Sequence, residues 1–218
     1  MSDNPPSDVM SKIAYYQGRQ DEVPNQELAR ELALSRDLPG IQEVVDHLWD
    51  KNQNVQSDCV KVLYEIGYID PELIAPYTEQ FLKLLDHKNN RMVWGAMIAL
   101  GCVANLTADQ IYEKVDRVIK TVESGSVITT VWGVKTLAQV AATGPDRQAK
   151  IMPFLLNILQ TCIPRDVATH AENLVGAVDA SALSVVLAVL EERAVEMSPS
   201  QLSRLKKAMK NLQKGVER

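Results

Sequence analysis

Apolar residues recur along this chain at helical spacing, and the clearest case surrounds Trp94. The residues of one face follow one another at i, i+4, i+7, i+8 and i+11, which suits one side of an α-helix rather than a strand. This face comprises Met92, Ala96, Ala99, Leu100 and Val103. The same slots hold Val55, Cys59, Val62, Leu63 and Ile66 earlier in the chain, and Thr130, Val134, Leu137, Ala138 and Ala141 later. A degraded copy follows at Ala168, Glu172, Val175, Gly176 and Asp179.

Two short motifs that recur in the sequence set the period of this pattern. Val93-Trp94-Gly95 returns as Val131-Trp132-Gly133, 38 residues later, although the chain has only 3 tryptophans. Ile74-Ala75-Pro76-Tyr77 returns as Ile151-Met152-Pro153-Phe154, 77 residues later, which is close to two periods. A fixed period of this length indicates a stack of similar helical units.

A partner helix is predicted upstream of each repeated helix, and capping signals mark the starts of several helices. The partners are predicted at 41–50, 72–86, 109–123 and 147–161, and further helices at 8–17, 25–35, 182–196 and 199–214. The capping signals are Asp70-Pro71, Thr107 with Gln110, and Ser198 with Gln201, and Gly144-Pro145 marks a further break. We therefore predict one continuous domain with N-terminal capping helices in 1–37, repeats at about 38–75, 76–113, 114–152 and 153–190, and a basic capping helix in 191–218.

Early prolines in the first helices and small apolar second helices make the chain similar to a known family. The prolines are Pro39, Pro76 and Pro153, and the second-helix run is Ala96–Gly101. Over residues 38–190 the pattern resembles the HEAT-repeat family, within the HEAT and armadillo α-solenoids. The resemblance implies an all-α fold, a right-handed α-solenoid of about four to six stacked helix-turn-helix repeats. The chain departs from the family at Lys114, which takes the proline slot in the third repeat.

The resemblance also implies where a binding surface would lie, since second helices of such solenoids line the concave face. Position 94 lies opposite the apolar face of its helix, so its equivalents in the other repeats, with the slots three and seven residues further on, predict an exposed stripe for a partner. Its residues are Tyr64, Trp94, Met97, Trp132, Lys135 and His170. The alternative is that Trp94 and Trp132 are buried between repeats, which the adjacent Gly95 and Gly133 would permit. The favoured function is a non-catalytic scaffold that binds a partner protein or peptide.

Motifs for catalysis and metal binding are missing from the sequence. It has no HExxH or His-Glu pair, such as HEAT-like metal hydroxylases carry, no GxSxG and no P-loop. We expect no catalytic residues, no metal and no cofactor, with His47 and His87 on the solvated surface. An alternative is suggested by HEAT-like DNA glycosylases, which combine tryptophans with an aspartate; Asp58 and Asp166 are the candidates here. Few basic residues accompany them, which makes nucleic-acid binding by that face the weaker reading.

Charge is distributed unevenly, with a net charge of −5 overall. Residues 1–50 contain 10 acidic and 4 basic side chains, whereas the last predicted helix is basic. The basic side chains are Arg204, Lys206, Lys207, Lys210 and Lys214. This helix suits a solvated cap, but it could also bind nucleic acid or anionic lipid, or meet the acidic end in an oligomer.

Cysteine content and hydropathy bear on the compartment. Cys59, Cys102 and Cys162 are odd in number, widely spaced and without a CxxC motif, so a disulfide framework is not expected. No apolar run reaches membrane-spanning length, and the first residues lack the features of a signal peptide. We predict a cytoplasmic protein without membrane association, and leave its oligomeric state open.

Overall fold

The protein is all-helical throughout the part that the structure describes. A computed structural model describes residues 7–216, which form 12 α-helices and no strand. The helices are α1 Val23–Ser35, α2 Leu38–Asp46, α3 Gln53–Ile69, α4 Thr78–Leu84, α5 Asn90–Val103, α6 Ala108–Glu113, α7 Val115–Ser124, α8 Val127–Ala141, α9 Pro145–Thr161, α10 Pro164–Asn173, α11 Ala180–Ala194 and α12 Pro199–Val216. Short 3-10 turns occur at Met10–Lys12, His47–Trp49, Pro71–Leu73 and Ala75–Tyr77. The prediction of an all-α fold is confirmed.

The helices group into two compact units, Met1–Thr107 and Ala108–Arg218, which we call unit 1 and unit 2. In unit 1, α3 lies at the centre and packs against α1, α2 and α5. In unit 2, α8 packs against α7, α9 and α10, and α12 packs against α10 and α11. Central helices of this kind bury more than one face, and in α3 the buried residues include the polar Gln56, Asp58 and Lys61. The predicted repeat boundaries stay a prediction.

The predicted apolar faces of α3, α5 and α8 lie in the core. Every member of the faces of α3 and α5 is fully buried, and the face of α8 is buried except at its first residue, Thr130, which is half-buried. Periodicity predicted these positions well because each helix turns its most apolar side toward a neighbour whichever neighbour that is.

The degraded fourth copy is interrupted in the structure. Helix α10 ends at Asn173, and the slots predicted beyond it lie outside the helix. Gly176 has a φ of 96°, a left-handed conformation that favours glycine, and Val175 is exposed. Asp179 then caps α11, accepting hydrogen bonds from the Ser181 and Ala182 amides. Turn-forming residues therefore override the helical spacing here.

The N-terminal segment does not form the helix predicted at 8–17. Only Met10–Lys12 makes a turn of 3-10 helix, and the following backbone is bound by side chains. The Ala14 amide donates to Asn25 Oδ1 at 2.9 Å, and the Tyr15 amide donates to Asp58 Oδ2 at 2.8 Å. Asn25 Nδ2 in turn donates to Asp58 Oδ1 at 2.8 Å. These contacts replace helical hydrogen bonds, so tertiary structure decides the conformation.

Two of the other predicted helices are broken. The stretch predicted at 72–86 consists of two 3-10 turns followed by α4, because Asp70 caps one turn and Pro76 has no amide to continue a helix. The stretch at 109–123 is divided into α6 and α7 at Lys114. By contrast, the helix predicted at 147–161 is continuous and begins two residues earlier, at Pro145, and Gln201 accepts a hydrogen bond from the Ser198 amide, as a capping box requires.

The C-terminal end of α9 is held by an arginine of α11. Arg193 is 9% exposed, and its guanidinium donates to the carbonyl oxygens of Leu159, Gln160 and Cys162. The last carbonyls of a helix have no partner within it, so these contacts satisfy groups that burial would otherwise penalise. No helix in residues 7–216 is both long and apolar enough to cross a membrane.

Candidate functional site

The stripe predicted from helical spacing is only partly available to a partner. Tyr64 is 4% exposed, Met97 is 0% and His170 is 2%, so the expectation that these three side chains are exposed was wrong. Helical spacing gives the angle around one helix, but it does not tell how many neighbours cover that helix. Trp94, Trp132 and Lys135 are half-buried.

Trp94 is the centre of a group of aromatic and charged side chains in unit 1. Its ring lies 6.1 Å from the Tyr64 ring of α3, tilted by 51°, and the Arg91 guanidinium lies over it at 5.9 Å. Tyr64 also contacts Tyr68, with centroids 5.7 Å apart. We call this group the Trp94 cluster; its residues are Glu22, Lys61, Tyr64, Glu65, Tyr68, Arg91 and Trp94.

A glycine brings α3 and α5 together beneath this cluster. A Cβ at Gly95 would lie 2.9 Å from both methyl groups of Val60, closer than such atoms approach in proteins. The absence of a side chain therefore lets the two helices meet, which places Trp94 at the edge of their contact. Both sequence alternatives thus hold in part: Trp94 packs against a neighbouring helix, yet part of it remains accessible.

The charges in the cluster are paired through Lys61. Its side chain is 7% exposed, and its ammonium contacts Glu22 at 2.7 Å and Glu65 at 2.6 Å. Burial lowers the pKa of Lys61, but the hydrogen bonds to Glu22 and Glu65 outweigh burial and raise it overall, so Lys61 stays charged. Glu22 also contacts Arg91 at 3.0 Å. The two cations and two carboxylates around Trp94 are thus paired, and their charges balance locally.

A polar cavity of about 550 Å³ adjoins the cluster within unit 1. It is lined by residues of the N-terminal segment and of α3, together with Arg91. Asp58, a glycosylase-like candidate from the sequence, lines this cavity, but each of its carboxylate oxygens already accepts a hydrogen bond from the N-terminal region. Its evident role is to dock that segment. Residues 7–216 contain no group of three or more side chains suited to hold a metal.

In unit 2, Trp132 is covered by a lysine of its own helix. Lys135 Nζ lies 4.4 Å from the centroid of the Trp132 ring, a cation–π geometry. The preceding carbonyl, of Val131, accepts a hydrogen bond from Asn173 Nδ2 of α10 at 3.3 Å. Burial lowers the pKa of His170, and Asp166, the second acidic candidate, opposes this shift. His170 is therefore a neutral core residue of α10, not a surface ligand.

The basic helix predicted at the C-terminus is α12. Leu205 and Leu212 are buried against the neighbouring helices, and Arg204 forms an ion pair with Glu172 of α10, at 2.6 Å. Lys206, Lys207, Lys210 and Lys214 are exposed. The helix therefore packs on unit 2 with its apolar side and presents lysines outward. Binding of nucleic acid or anionic lipid by these lysines, or contact with the acidic end in an oligomer, remains a prediction.

Sequence reasoning missed Glu22 and Lys61, the two residues that organise the Trp94 cluster. One signal was available, because Lys61 and Glu65 are spaced to pair on one helix face. Nothing local could indicate Glu22, which precedes α1 and meets Lys61 only through the packing of α1 on α3.

Comparison with known proteins gives structural relatives but no sequence relatives. No family model matches the chain. No curated protein matches it either.

Solved structures of helical-repeat proteins match almost the whole chain. A crystal structure of an engineered protein has a TM-score of 0.62 at 19% identity, covering 97% of this chain and 98% of that one. A designed armadillo repeat protein in complex with the peptide (KR)4 has a TM-score of 0.62 at 16% identity, covering 94% of this chain and 100% of that one. The karyopherin Kap121p, bound to the SUMO protease Ulp1p, has a TM-score of 0.65 at 15% identity; the match covers 94% of this chain and 23% of Kap121p. At these identities the likeness shows the fold. The chain has the α-solenoid fold of HEAT and armadillo repeat proteins.

Proposed function

We propose that this protein is a non-catalytic binding module that holds a segment of a partner protein or peptide at the Trp94 cluster. The observation that carries the proposal is Trp94 itself, a half-buried tryptophan fixed between Tyr64 and Arg91 on the edge of two packed helices. Tryptophans of this kind make strong anchors for partners, since they offer large apolar area and lose little conformational freedom on binding.

Structural relatives support a protein or peptide as the ligand. The designed armadillo protein was crystallised with a peptide, and Kap121p was crystallised with Ulp1p and with Pho4p. A shared fold does not fix function, so the Trp94 cluster and not the fold identifies the binding surface proposed here.

Charge argues against DNA as the ligand of this site. Residues 1–107 carry 16 acidic and 9 basic side chains, and within the cluster both Lys61 and Arg91 are already paired with Glu22. A surface that binds a duplex needs several unpaired cations to neutralise phosphates. Asp58, engaged by Tyr15 and Asn25, is also poorly placed to act as a general base.

The test is a selection of peptides from a random displayed library on the full-length protein, followed by affinity measurement on variants. We expect selected peptides to bind Trp94→Ala about ten-fold or more weakly, as for a hot-spot residue. Trp49→Ala is the matched control, because Trp49 lies outside the cluster and is exposed. Thermal unfolding of each variant checks that the fold is retained.

Two results would contradict the proposal. Selected peptides that bind Trp94→Ala as tightly as the wild type would place the binding surface elsewhere. Release of alkylated bases from DNA by the wild type, lost in Asp58→Asn, would show catalysis and favour the glycosylase alternative.

A further inference from the structure

A single carboxylate, that of Glu22, bridges the two cations beside Trp94. Its Oε2 lies 2.7 Å from the Lys61 ammonium of α3, and its Oε1 accepts a hydrogen bond from Arg91 Nη2 of α5 at 3.0 Å. The Arg91 guanidinium in turn lies over the Trp94 ring at 5.9 Å. Lys61 and Arg91 therefore form a carboxylate-binding site next to the proposed anchor, and Glu22 shows how a carboxylate is held there.

Glu22 is not needed for the start of its own helix. It occupies the N-cap position of α1, where a side-chain oxygen commonly accepts a hydrogen bond from the first free amides. The Glu22 carboxylate makes no such bond, and the Val23 amide donates instead to Asp21 Oδ1 at 3.0 Å. The side chain of Glu22 is 44% exposed, so it can rotate into water while α1 stays packed on α3.

Space for a ligand lies beside the Glu22 bridge. The polar cavity of about 550 Å³ is lined by both Glu22 and Arg91. Residues 18–21 form one wall of this cavity, and all four are exposed. A side chain of a ligand can therefore reach Lys61 and Arg91 from solvent once Glu22 turns away.

Charge decides which group can replace Glu22. Without its carboxylate, the cluster would hold two cations, Lys61 and Arg91, against Glu65 alone, a net charge of +1. The side chain of Lys61 is only 7% exposed, and a cation removed from water is destabilised when it loses a partner. Glu65 would keep its contact with Lys61 at 2.6 Å, but Arg91 would lose its ion-pair partner. A carboxylate from a ligand restores both pairs, whereas a neutral or basic side chain restores neither.

The other carboxylates of the cavity are already engaged. Asp21 pairs with Arg19 at 2.9 Å, and each oxygen of Asp58 accepts a hydrogen bond from the N-terminal region. Exchange of one carboxylate for another leaves the charge next to Arg91 unchanged. Once Glu22 points into water, its own charge is screened within about 8 Å at physiological ionic strength. The overall acidity of unit 1 therefore opposes an acidic ligand only weakly.

We infer, on the basis of the function proposed above, that the partner segment carries a carboxylate that takes the place of Glu22 between Lys61 and Arg91. A neighbouring apolar side chain of the same segment packs on Trp94. The carboxylate belongs either to an acidic side chain or to the C-terminus of the segment. Glu22 is then an internal competitor, because a group tethered to the site acts at a high effective concentration and lowers the affinity for the ligand's carboxylate.

The test extends the peptide selection to Glu22→Gln, which keeps the shape of the side chain and removes its charge. Peptides that depend on Trp94 should carry an acidic residue next to an apolar one, most clearly when selected on the variant. Glu22→Gln should bind such a peptide about ten-fold or more tightly than the wild type does, as expected for hydrogen bonds between charged groups. The same peptide with Asn or Gln in place of its acid should bind both proteins equally.

Two controls accompany these measurements. Glu27→Gln changes an exposed carboxylate of the same helix, and it should alter the affinity for neither peptide. Each peptide is made with a free and with an amidated C-terminus, which separates a terminal carboxylate from one on a side chain. On the wild type, loss of the acid from the peptide should weaken binding about three-fold, since Glu22 then remains in place. This last comparison needs no change in the protein.

Failure of this inference can be told apart from failure of the proposed function. Peptides that need Trp94 but bind the wild type and Glu22→Gln equally would overturn the exchange of carboxylates alone. Weaker binding of acidic and neutral peptides alike by Glu22→Gln would show that Glu22 only positions the cluster, and selected peptides rich in Lys or Arg would also overturn the inference. Peptides that bind regardless of Trp94→Ala would contradict the proposed function itself, and the inference with it.

Discussion

Gly95 shows how much one residue determines in this protein. The Val-Trp-Gly motif first drew attention through its tryptophan, yet the glycine sets the approach of α3 to α5 by leaving room for the methyl groups of Val60. Trp94 is positioned as a consequence. The functional candidate therefore depends on a packing contact that binds nothing itself.

We expect Gly95→Ala to lower the free energy of unfolding by about 1–3 kcal/mol, because the new methyl group would overlap Val60. Urea denaturation measures the change. In the double variant Gly95→Ala/Val60→Ala, most of the free energy of unfolding lost through Gly95→Ala should be recovered. Gly144→Ala is the control, since a Cβ there meets nothing within 4 Å. An equal effect at both glycines would show that the Val60 contact is unimportant.

His170 should make stability depend on pH. Burial lowers its pKa in the folded state below the usual value of about 6.5, whereas the unfolded chain titrates near that value. The unfolded state therefore binds a proton first as pH falls, so stability is complete above about 6.5 and decreases below it.

The corresponding measurement is urea denaturation from about pH 8 to about pH 5.5, for the wild type and His170→Gln. The variant should lose less stability over this interval, whatever its stability at the higher pH. Thr169→Gln, which keeps the histidine, should retain the slope of the wild type. Identical slopes in all three proteins would contradict the role given to His170.

At the scale of elements, the helices are joined by a few buried polar side chains that periodicity does not reveal. Asp58 of α3 fixes the N-terminal segment through Tyr15 and Asn25. Arg193 of α11 holds the end of α9 through its last carbonyls. Each side chain bonds backbone groups that have no partner within a helix. These contacts therefore help to determine where the elements end.

Arg193→Met should destabilise the protein by about 1–3 kcal/mol, since it keeps most of the apolar side chain but leaves the buried Leu159 carbonyl and the part-buried carbonyls of Gln160 and Cys162 without this donor. Arg204→Met is a fair comparison, because the exposed pair of Arg204 with Glu172 should contribute no more than about 1 kcal/mol. Chemical denaturation of the two variants gives both values. Equal losses would refute the capping role.

At the scale of the whole molecule, the stability of each unit depends on packing between helices near in sequence. Helix α12 is an example, because it covers α10 and α11 with buried Leu205 and Leu212 while its lysines face outward. The apolar side of α12 is thereby removed from water while its charges stay hydrated.

Truncation after Ser198 should therefore lower the thermal midpoint by several degrees and increase binding of an apolar dye, because each buried leucine contributes about 1.5–3 kcal/mol. The charge variant Lys206→Gln/Lys207→Gln/Lys210→Gln should unfold near the wild-type midpoint. If the truncated protein matches the wild type, α12 is dispensable. If the charge variant alone is destabilised, the lysines and not the leucines stabilise this end.

The sequence by itself determined the helical class and the buried faces of the central helices. The faces beginning at Val55 and Met92 are buried as predicted, because helical periodicity depends only on backbone geometry and on hiding apolar side chains. Caps such as Ser198 with Gln201 were equally readable, since both partners lie within one turn of each other.

Only the tertiary structure decided which residues remain accessible and which are joined. Met97 and His170 share the spacing of Trp94 but are enclosed by neighbouring helices. Glu22 and Lys61 meet across 39 positions of the chain, and Asp58 binds a segment that local spacing predicted to be helical. The physical reason is the same in each case: exposure and pairing depend on which helices come together, and that depends on contacts remote in sequence.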